Sequence, residues 1–466
     1  MYRLKYFKKL ETKEISLPRA ERLGIGFEKL DRYAFDPEPA YPKLKKIGIK
    51  WVRIQSGWNR TETQKGVYDF SWLDSVVDNL IAGGMTPWIC LCYGNGLYGG
   101  LAKEIYGAVG CPPIQTDEQK VAWYNYCGAI ARHYRDRVKY FEIWNEPDGG
   151  VWKYDQSPKS YTQFSINTAK ALREANPDVY IIGGATVRIN LHFISECFKL
   201  GLADYINAIS FHAYYFDDRK IKGSVRALRS LINMYNPSIE IIQGESGAQS
   251  KPFGHGAMHY GAWTERKQAK YLLRHMITDL GLDVKFTSYF SCLDMAEALN
   301  GKIDDVKSYS DFGYFGVLGA IFDKNGVATG EYTEKESYFA LCNLAAIFSG
   351  KTETVELPII IEDDFAAHCG NVQSVTCAET EYYGFRLSNG NKMFAYWYPS
   401  NFMTTDFEGA ITINCADLGD VHLLDPMDGS MYEIPDKMIE SDAGGIKLKL
   451  LPIRDYPLLL IFGKID

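Results

Sequence analysis

The chain has 466 residues, of which 46% are hydrophobic and 14% aromatic, which is enough apolar material for one large core and a smaller one. This composition excludes a disordered or fibrous protein. The net charge is −7 with both signs interspersed, and no block of Lys and Arg suggests contact with a phosphate backbone, so we expect no nucleic-acid partner.

The compartment is inferred from the N-terminus and the cysteines. The stretch MYRLKYFKKLETKE is basic but lacks the apolar run and small-residue cleavage site of a signal peptide. No segment approaches the roughly 18 consecutive apolar residues of a membrane span. The ten cysteines are scattered, and Cys90-x-Cys92 does not have zinc-site spacing, so we interpret them as small buried side chains. We therefore expect a cytoplasmic protein in a reducing compartment, with no membrane partner.

Eight apolar runs of strand length alternate with helical patterns in the first three quarters of the chain. Eight parallel strands close a (β/α)8 barrel, and because they are buried on both faces they form continuous apolar runs. We therefore predict an α/β fold with a TIM barrel over residues 16–349. The predicted strands cover 23–28, 49–55, 85–93, 138–144, 179–184, 205–214, 238–245 and 284–291.

The predicted helices carry their own start and stop signals. Ser157 and Pro158 form an N-cap and first-turn pair, and Thr264 can cap a helix that Gly281 terminates. A further amphipathic helix follows the sixth strand, with Val225 on its apolar face.

The pattern changes after about residue 350. Short alternating strands with Asn-Gly and Asp-Gly turns predict an all-β sandwich over residues 350–466, and LSNGNK at 387–392 is a strong hairpin signal. Residues 1–15 have no place in the barrel, and we expect them to add a strand to the sandwich.

Two glutamates stand where predicted barrel strands end. Glu146 follows the fourth strand in VKYFEIWNEPD, and Glu245 follows the seventh in IIQGESG. Side chains at the C-terminal ends of barrel strands face the mouth of the barrel. Two carboxyl groups about 5–5.5 Å apart are what a retaining glycosidase needs, with one protonated and the other ionised. The sequence therefore predicts a glycosidase site.

The surroundings suggest how the two carboxyl groups differ. Glu146 is flanked by Trp144 and a proline, an apolar setting that favours the protonated acid. Arg53, at the end of the second strand, and Tyr214, at the end of the sixth, are placed to meet Glu245 and keep it charged.

The motif WNEP at 144–147, with a glutamate at the end of strand seven, resembles clan A of the glycoside hydrolases. The resemblance implies that Glu146 is the acid/base and Glu245 the nucleophile. It also implies that Asn145 binds the sugar 2-hydroxyl.

Other segments of the barrel extend this resemblance. WVRIQ supplies Arg53 near the nucleophile, and FHAYY supplies His212 and Tyr214. Within the clan, YFEIWNEPD and the trailing β-domain are most similar to glycoside hydrolase family 39 and its relatives, whose members include β-xylosidases. The clan's stereochemistry implies a β-D-glycoside or an α-L-arabinoside as substrate.

Aromatic side chains in barrel-top segments are candidate sugar-stacking groups. By position we name Trp58, Trp152, Tyr289 and Trp263 as substrate-binding residues. Tyr289 stands where many clan members end strand eight in Trp.

We expect no metal and no cofactor. His255 and His259 lie in a glycine-rich loop that argues against a helix aligning them, and there is no HExxH motif. The segment GNGLYGG matches neither a phosphate loop nor a dinucleotide fingerprint.

We therefore predict a retaining glycoside hydrolase that acts by double displacement. It is expected to be exo-acting on short oligosaccharides or glycosides, with a β-xylosidase-like enzyme favoured. The alternatives are a transglycosidase on the same scaffold and a non-catalytic carbohydrate-binding protein. The sugar in the −1 subsite and the oligomeric state, a homo-oligomer included, are left open.

Overall fold

A computed structural model describes residues 4–11, 18–297, 311–362, 380–400 and 409–464. After an N-terminal strand β1 (Lys5–Lys9), eight parallel strands close into a barrel in chain order. Each overlaps one of the eight predicted runs, which confirms the TIM barrel. The barrel strands are β2 (Ala20–Gly26), β3 (Ile49–Gln55), β4 (Thr86–Leu91), β5 (Tyr140–Ile143), β6 (Tyr180–Thr186), β7 (Ala208–His212), β8 (Glu240–Ser246) and β9 (Thr287–Tyr289).

Helices accompany the barrel, and the predicted caps are confirmed. The Ser157 side chain accepts a hydrogen bond from the Ser160 amide, and the Thr264 side chain accepts one from Lys267. The helices are α1 (Tyr41–Ile47), α2 (Trp58–Thr61), α3 (Ser71–Ala82), α4 (Asp117–His133), α5 (Pro158–Ala175), α6 (Leu191–Lys199), α7 (Lys220–Tyr235), α8 (Glu265–Gly281) and α9 (Glu336–Ile347). No helix in the described ranges is long and apolar enough to cross a membrane.

Large apolar side chains close the end of the barrel where the strands begin. Trp51 stacks on Phe286 with ring centroids 4.4 Å apart, and Trp88, Ile182, Ala208 and Ile242 complete this buried cluster. The opposite end, where the strands finish, holds buried polar groups such as Arg53 and Glu142. The buried charged groups that could act on a substrate therefore lie at the end of the barrel where the strands finish.

Antiparallel strands follow the barrel. Two short pairs come first, β10 (Met295–Ala296) with β11 (Phe312–Gly313), and β12 (Leu318–Phe322) with β13 (Ala328–Glu334). The remaining strands form two sheets that fit the predicted β-sandwich domain. They are β14 (Glu353–Thr354), β15 (Ile359–Glu362), β16 (Glu381–Arg386), β17 (Lys392–Trp397), β18 (Gly409–Cys415), β19 (Val421–Asp425), β20 (Ser430–Glu433), β21 (Ile439–Asp442), β22 (Gly445–Ile453) and β23 (Leu458–Phe462).

The larger sheet has the order β1-β20-β19-β23-β17-β16-β14, and the smaller β15-β18-β22-β21. β1 thus pairs with β20 at the edge of the larger sheet. The turn at Asn389 and Gly390 joins β16 to β17, where the hairpin was predicted. The domain limits of 16–349 and 350–466 stay a prediction.

The barrel and the β-domain are joined by buried polar contacts on α8. Lys270 donates to Asp455 at 3.0 Å, and Arg274 pairs with Asp218, which also accepts from the indole of Trp397 at 3.2 Å.

Eight cysteines in the described ranges are buried and free, while Cys369 and Cys377 lie outside those ranges.

Candidate active site

A cleft of about 520 Å³ opens among the C-terminal ends of the barrel strands. Asn145, Glu146, Tyr214 and Glu245 line it. The structure thus brings together these four predicted site residues, which come from three different strand ends.

The backbone at the end of β5 turns Glu146 into the cleft. Trp144 and Glu146 have φ angles of 65° and 48°, a left-handed conformation that non-glycine residues seldom adopt. The Glu146 amide donates to the Ala185 carbonyl at 2.8 Å, and Asp148 accepts from the Val187 amide at 2.9 Å. These bonds to the segment after β6 hold the turn in place.

Glu146 and Glu245 line the cleft, whereas His212, predicted to bind substrate, is fully buried beside them and does not line it. One carboxylate oxygen from each glutamate and one ring nitrogen of the histidine lie within 4.8 Å of one another. The Nδ1 atom of His212 is 2.9 Å from Glu146 Oε1 and 3.7 Å from Glu245 Oε2. These two oxygens are closer than the roughly 6.5–9.5 Å that separates the carboxyl groups of an inverting glycosidase.

Trp144, expected to provide an apolar setting for Glu146, packs away from the cleft. Its indole donates to the Val151 carbonyl at 3.0 Å, and its ring is fully buried. The side chain that contacts the Glu146 carboxylate is His212, so the expectation that Trp144 provides its setting is wrong.

Glu245 receives one hydrogen bond on each carboxylate oxygen. Arg53 Nη1 donates to Oε2 at 2.9 Å, and the Tyr214 hydroxyl donates to Oε1 at 2.5 Å. Burial and the neighbouring Glu245 raise the pKa of Tyr214 well above its ordinary value, so the hydroxyl keeps its proton and acts as a donor. Both contacts fix the orientation of the Glu245 carboxylate.

Arg53 is fully buried beneath the cleft and binds several acceptors at once. Its Nε donates to Glu142 at 2.7 Å, its Nη1 to Glu28 at 3.0 Å, and its Nη2 to the side-chain oxygen of Asn145 at 2.9 Å. Because the oxygen of Asn145 faces Arg53, its amide nitrogen is left as a donor for the cleft.

The pKa values in this cluster diverge. Burial raises the pKa of Glu28 to about 7, against the opposing effect of Arg53. Burial also raises the pKa of Glu142, but Arg53 and then His212 outweigh it, so the net pKa of Glu142 is lowered. Burial lowers the pKa of His212, yet Glu245 and the hydrogen bond to Glu146 outweigh it and raise that pKa.

The four aromatic side chains named from the sequence do not line the cleft. Trp58 and Trp152 are fully buried behind the barrel wall, and Trp263 is 1% exposed and packs edge-on against Tyr271. Tyr289 is 2% exposed, and its hydroxyl donates to the Ala248 carbonyl. Since a sugar ring cannot reach these rings, their assignment as substrate-binding residues is corrected.

Other aromatic residues occupy the cleft wall instead: Tyr93, Tyr215, Phe290 and Phe315. Phe290 directly follows β9. Position after a strand end was therefore the right signal, applied one residue too early at Tyr289.

Charged and polar residues that the sequence reasoning missed also line the cleft. Lys29 and Arg32 follow β2, Gln55 ends β3, and Glu297 follows β10. A run of charged residues directly after a barrel strand, as in FEKLDR, was the available signal. In the glycine-rich loop, His255 lies 3.5 Å from Asp311, whereas His259 bonds the Gly256 carbonyl.

Comparisons with known proteins agree with this geometry. The family model described as Glycosyl hydrolases family 39 matches residues 37–229, a range that contains Arg53, Glu146, His212 and Tyr214 but not Glu245. Endo-1,4-beta-xylanase C of Phanerodontia chrysosporium is 28% identical over 132 residues, which are 27% of this chain and 31% of that enzyme.

Solved structures of similar fold include a family 39 glycoside hydrolase from Bacteroides cellulosilyticus WH2, with a TM-score of 0.65 and 16% identity over 96% of this chain and 81% of that one. A monomeric beta-xylosidase from Caulobacter crescentus CB15 has a TM-score of 0.61 and 16% identity over 98% and 97% of the two chains. The matches confirm that this chain is similar to the clan A glycoside hydrolases, family 39 in particular.

Proposed function

We propose that this protein is a retaining glycosidase that cleaves β-D-glycosidic or α-L-arabinosidic bonds by double displacement. The observation that carries the proposal is the placement of Glu146 and Glu245 in one cleft, next to the same nitrogen of His212, with one carboxylate oxygen of each within 4.8 Å of the other. Their different hydrogen-bond partners divide the two roles.

In the first step, Glu245 acts as the nucleophile. Its carboxylate oxygen forms a bond to the anomeric carbon while the bond from that carbon to the departing oxygen breaks, and Glu146 gives its proton to that oxygen. Arg53 and Tyr214 hold the Glu245 carboxylate in place before attack. His212 Nδ1 fixes the position of the Glu146 carboxyl group.

In the second step, Glu146 is ionised and acts as a base. It takes a proton from a water molecule whose oxygen bonds to the anomeric carbon, and the bond to Glu245 breaks. The sugar leaves with its original configuration because two inversions occur at one carbon.

We further propose an exo-acting, β-xylosidase-like enzyme on short substrates. The cleft volume of about 520 Å³ falls within the usual range for a pocket that encloses a small molecule, about 300–1,000 Å³. The beta-xylosidase of similar fold supports this choice, while the matching xylanase segment keeps endo action as an outcome of the test. The cytoplasmic location stays a prediction.

The test is hydrolysis of a panel of 4-nitrophenyl glycosides: β-D-xyloside, β-D-glucoside, β-D-galactoside and α-L-arabinofuranoside. Wild type is expected to cleave at least one, and Glu245→Ala none. Glu146→Ala is expected to lose activity and to regain part of it with azide, giving a glycosyl azide of retained configuration. Glu240→Ala is a matched control, because Glu240 lies at the other end of β8.

The outcomes separate the alternatives. Products that carry a second sugar or an added alcohol indicate a transglycosidase. Cleavage of long chains in the middle overturns exo action. A folded wild type that binds sugars but cleaves no glycoside overturns the proposal in favour of a carbohydrate-binding protein.

A further inference from the structure

Glu28 is a third carboxyl group that faces the cleft near the nucleophile. It follows β2 by two residues, and the Phe27 amide between them donates to the Arg53 carbonyl at 2.8 Å, which fixes this segment against β3. Glu28 is 3% exposed, yet its side chain lines the cleft. It therefore touches the space that a bound sugar would fill.

Glu28 lies on the side of the cleft that belongs to the nucleophile. Arg53 Nη1 donates to Glu28 Oε1 at 3.0 Å and to Glu245 Oε2 at 2.9 Å, so one nitrogen joins the two carboxylates. In a retaining glycosidase the sugar under attack sits over the nucleophile, whereas the leaving group sits by the acid. A group that shares a donor with Glu245 is thus placed beside the attacked sugar.

Glu142 is a carboxylate that only balances the charge of Arg53. It accepts from Arg53 Nε at 2.7 Å, is fully buried, and does not line the cleft. The charge of Arg53 is therefore already matched beneath the cleft, and Glu28 is placed differently from a simple counter-ion.

The cations near Glu28 are each paired with a carboxylate of the protein. Lys29 Nζ lies 2.7 Å from Glu297, and Arg32 lies 2.9 Å from Asp31. These pairs leave this wall of the cleft without an excess of positive charge for an anionic sugar. Above its pKa of about 7 Glu28 is ionised, and an ionised carboxylate accepts hydrogen bonds from hydroxyl groups.

We propose that Glu28 accepts hydrogen bonds from ring hydroxyls of the sugar that Glu245 attacks, and that it makes the enzyme selective for glycones carrying hydroxyls away from the anomeric carbon. This inference rests on the proposed glycosidase function and names the substrate feature that the same site reads. A site built to bond a hydroxyl group discriminates strongly against an analogue that lacks it.

The experiment compares Glu28→Gln with Glu142→Gln, two substitutions of equal chemistry on the two carboxylates that share Arg53. For each protein, kcat/KM is measured on 4-nitrophenyl β-D-xyloside and on its 3-deoxy and 4-deoxy analogues, or on the same series of whichever panel glycoside wild type cleaves fastest. The intrinsic reactivity of each deoxy sugar cancels, because the same pair of substrates is compared in every variant.

At pH 8, above the Glu28 pKa of about 7, Glu28→Gln is expected to reduce the preference for the parent sugar over one deoxy analogue by about tenfold or more, since a charged acceptor is lost. Glu142→Gln is expected to lower all rates together and to keep wild-type preference. Glu28→Asp keeps the charge but withdraws the acceptor by one methylene, and it is expected to weaken the same preference.

Folding of each variant is checked by circular dichroism, and preference is compared in the variants that fold. Equal preference in wild type and the Glu28 variants, with lower rates only, overturns the inference and leaves Glu28 as a positioning residue for Arg53. A wild type that cleaves no glycoside of the panel overturns the proposed function and this inference together.

Discussion

The arrangement around Arg53 predicts an unusual pH dependence for the variant Arg53→Met. Arg53 is fully buried and donates to Glu28, Glu142 and Glu245 at 3.0, 2.7 and 2.9 Å. Methionine preserves much of the side-chain volume but removes the single positive charge that these carboxylates share. Removing one partner of a buried ion pair costs about 3–5 kcal/mol, because the remaining charge is left uncompensated.

For Glu142, the sign of the pH effect reverses between wild type and Arg53→Met. In wild type the pKa of Glu142 is lowered, so its contribution to stability is present above its ordinary pKa and is lost as the pH falls. Without Arg53, burial dominates and raises the pKa of Glu142, while the pKa of Glu28, already raised to about 7 in wild type, loses the opposing effect of Arg53 and rises further. Their contribution is then greatest at low pH, where both are protonated, and is lost as the pH rises.

Urea unfolding at pH 7.5 and pH 5.0 measures this difference. The free energy of unfolding of Arg53→Met is expected to lie about 3–5 kcal/mol below wild type at pH 7.5, and the gap is expected to narrow at pH 5.0. Arg137→Met is the matched control, because Arg137 also binds two carboxylates, Asp74 and Asp78, but is 31% exposed. That control is expected to cost less than about 1 kcal/mol at either pH.

An equal loss of stability at both pH values would refute the reasoning. It would mean that the loss comes from packing of the guanidinium group rather than from unpaired carboxylates. A loss below about 1 kcal/mol at pH 7.5 would likewise show that water reaches these groups and screens them.

Three further predictions concern other parts of the chain. Burial raises the pKa of Asp279 to about 7, so its stabilising contribution is lost as the pH rises from about 4 to 7, and Asp279→Asn is expected to gain up to about 4 kcal/mol over wild type by pH 7.5 in urea titrations. Tyr271→Phe removes a hydroxyl that lies 3.0 Å from Ser246 Oγ, beside the proposed nucleophile. This variant is expected to lower kcat about tenfold with KM unchanged. Tyr396→Phe, in the β-domain, is the control and should leave kcat unchanged. Gly390→Ala is expected to lower stability by about 1–2 kcal/mol in thermal unfolding, because its φ of 86° strains an alanine although nothing lies within 4 Å of the added carbon; an unchanged Tm would contradict this.

The barrel could be predicted because its strands are buried on both faces and interrupt the helical pattern eight times. The hairpin of β12 and β13 was missed for the converse reason. Of its residues, only Leu318, Ala328 and Tyr332 are buried, so the segment lacks both a continuous apolar run and a regular alternation. A strand pair that is mostly exposed therefore has no clear apolar pattern in the sequence.

The candidate site could be predicted where a strand end alone decides the position. Asn145, Glu146, Tyr214 and Glu245 line the cleft as expected from that rule. The rule failed for aromatic residues such as Trp58, because a residue that follows a strand can point either into the mouth or behind the wall. An aromatic ring can lie in the barrel mouth or behind the wall at little cost, whereas a carboxylate is costly to bury without a partner.

The end of β5 shows why the remaining side-chain orientations could not be predicted from the sequence. Strand alternation would put Glu142, Trp144 and Glu146 on one face. Trp144 instead adopts a φ of 65° and packs against Trp123 outside the strand wall. Glu142 therefore stays beneath the cleft on Arg53, while Glu146, two residues beyond the turn, faces His212. Two glutamates four residues apart thus gain different partners through two left-handed residues, Trp144 and Glu146, and that conformation could not be predicted from the identity of either residue.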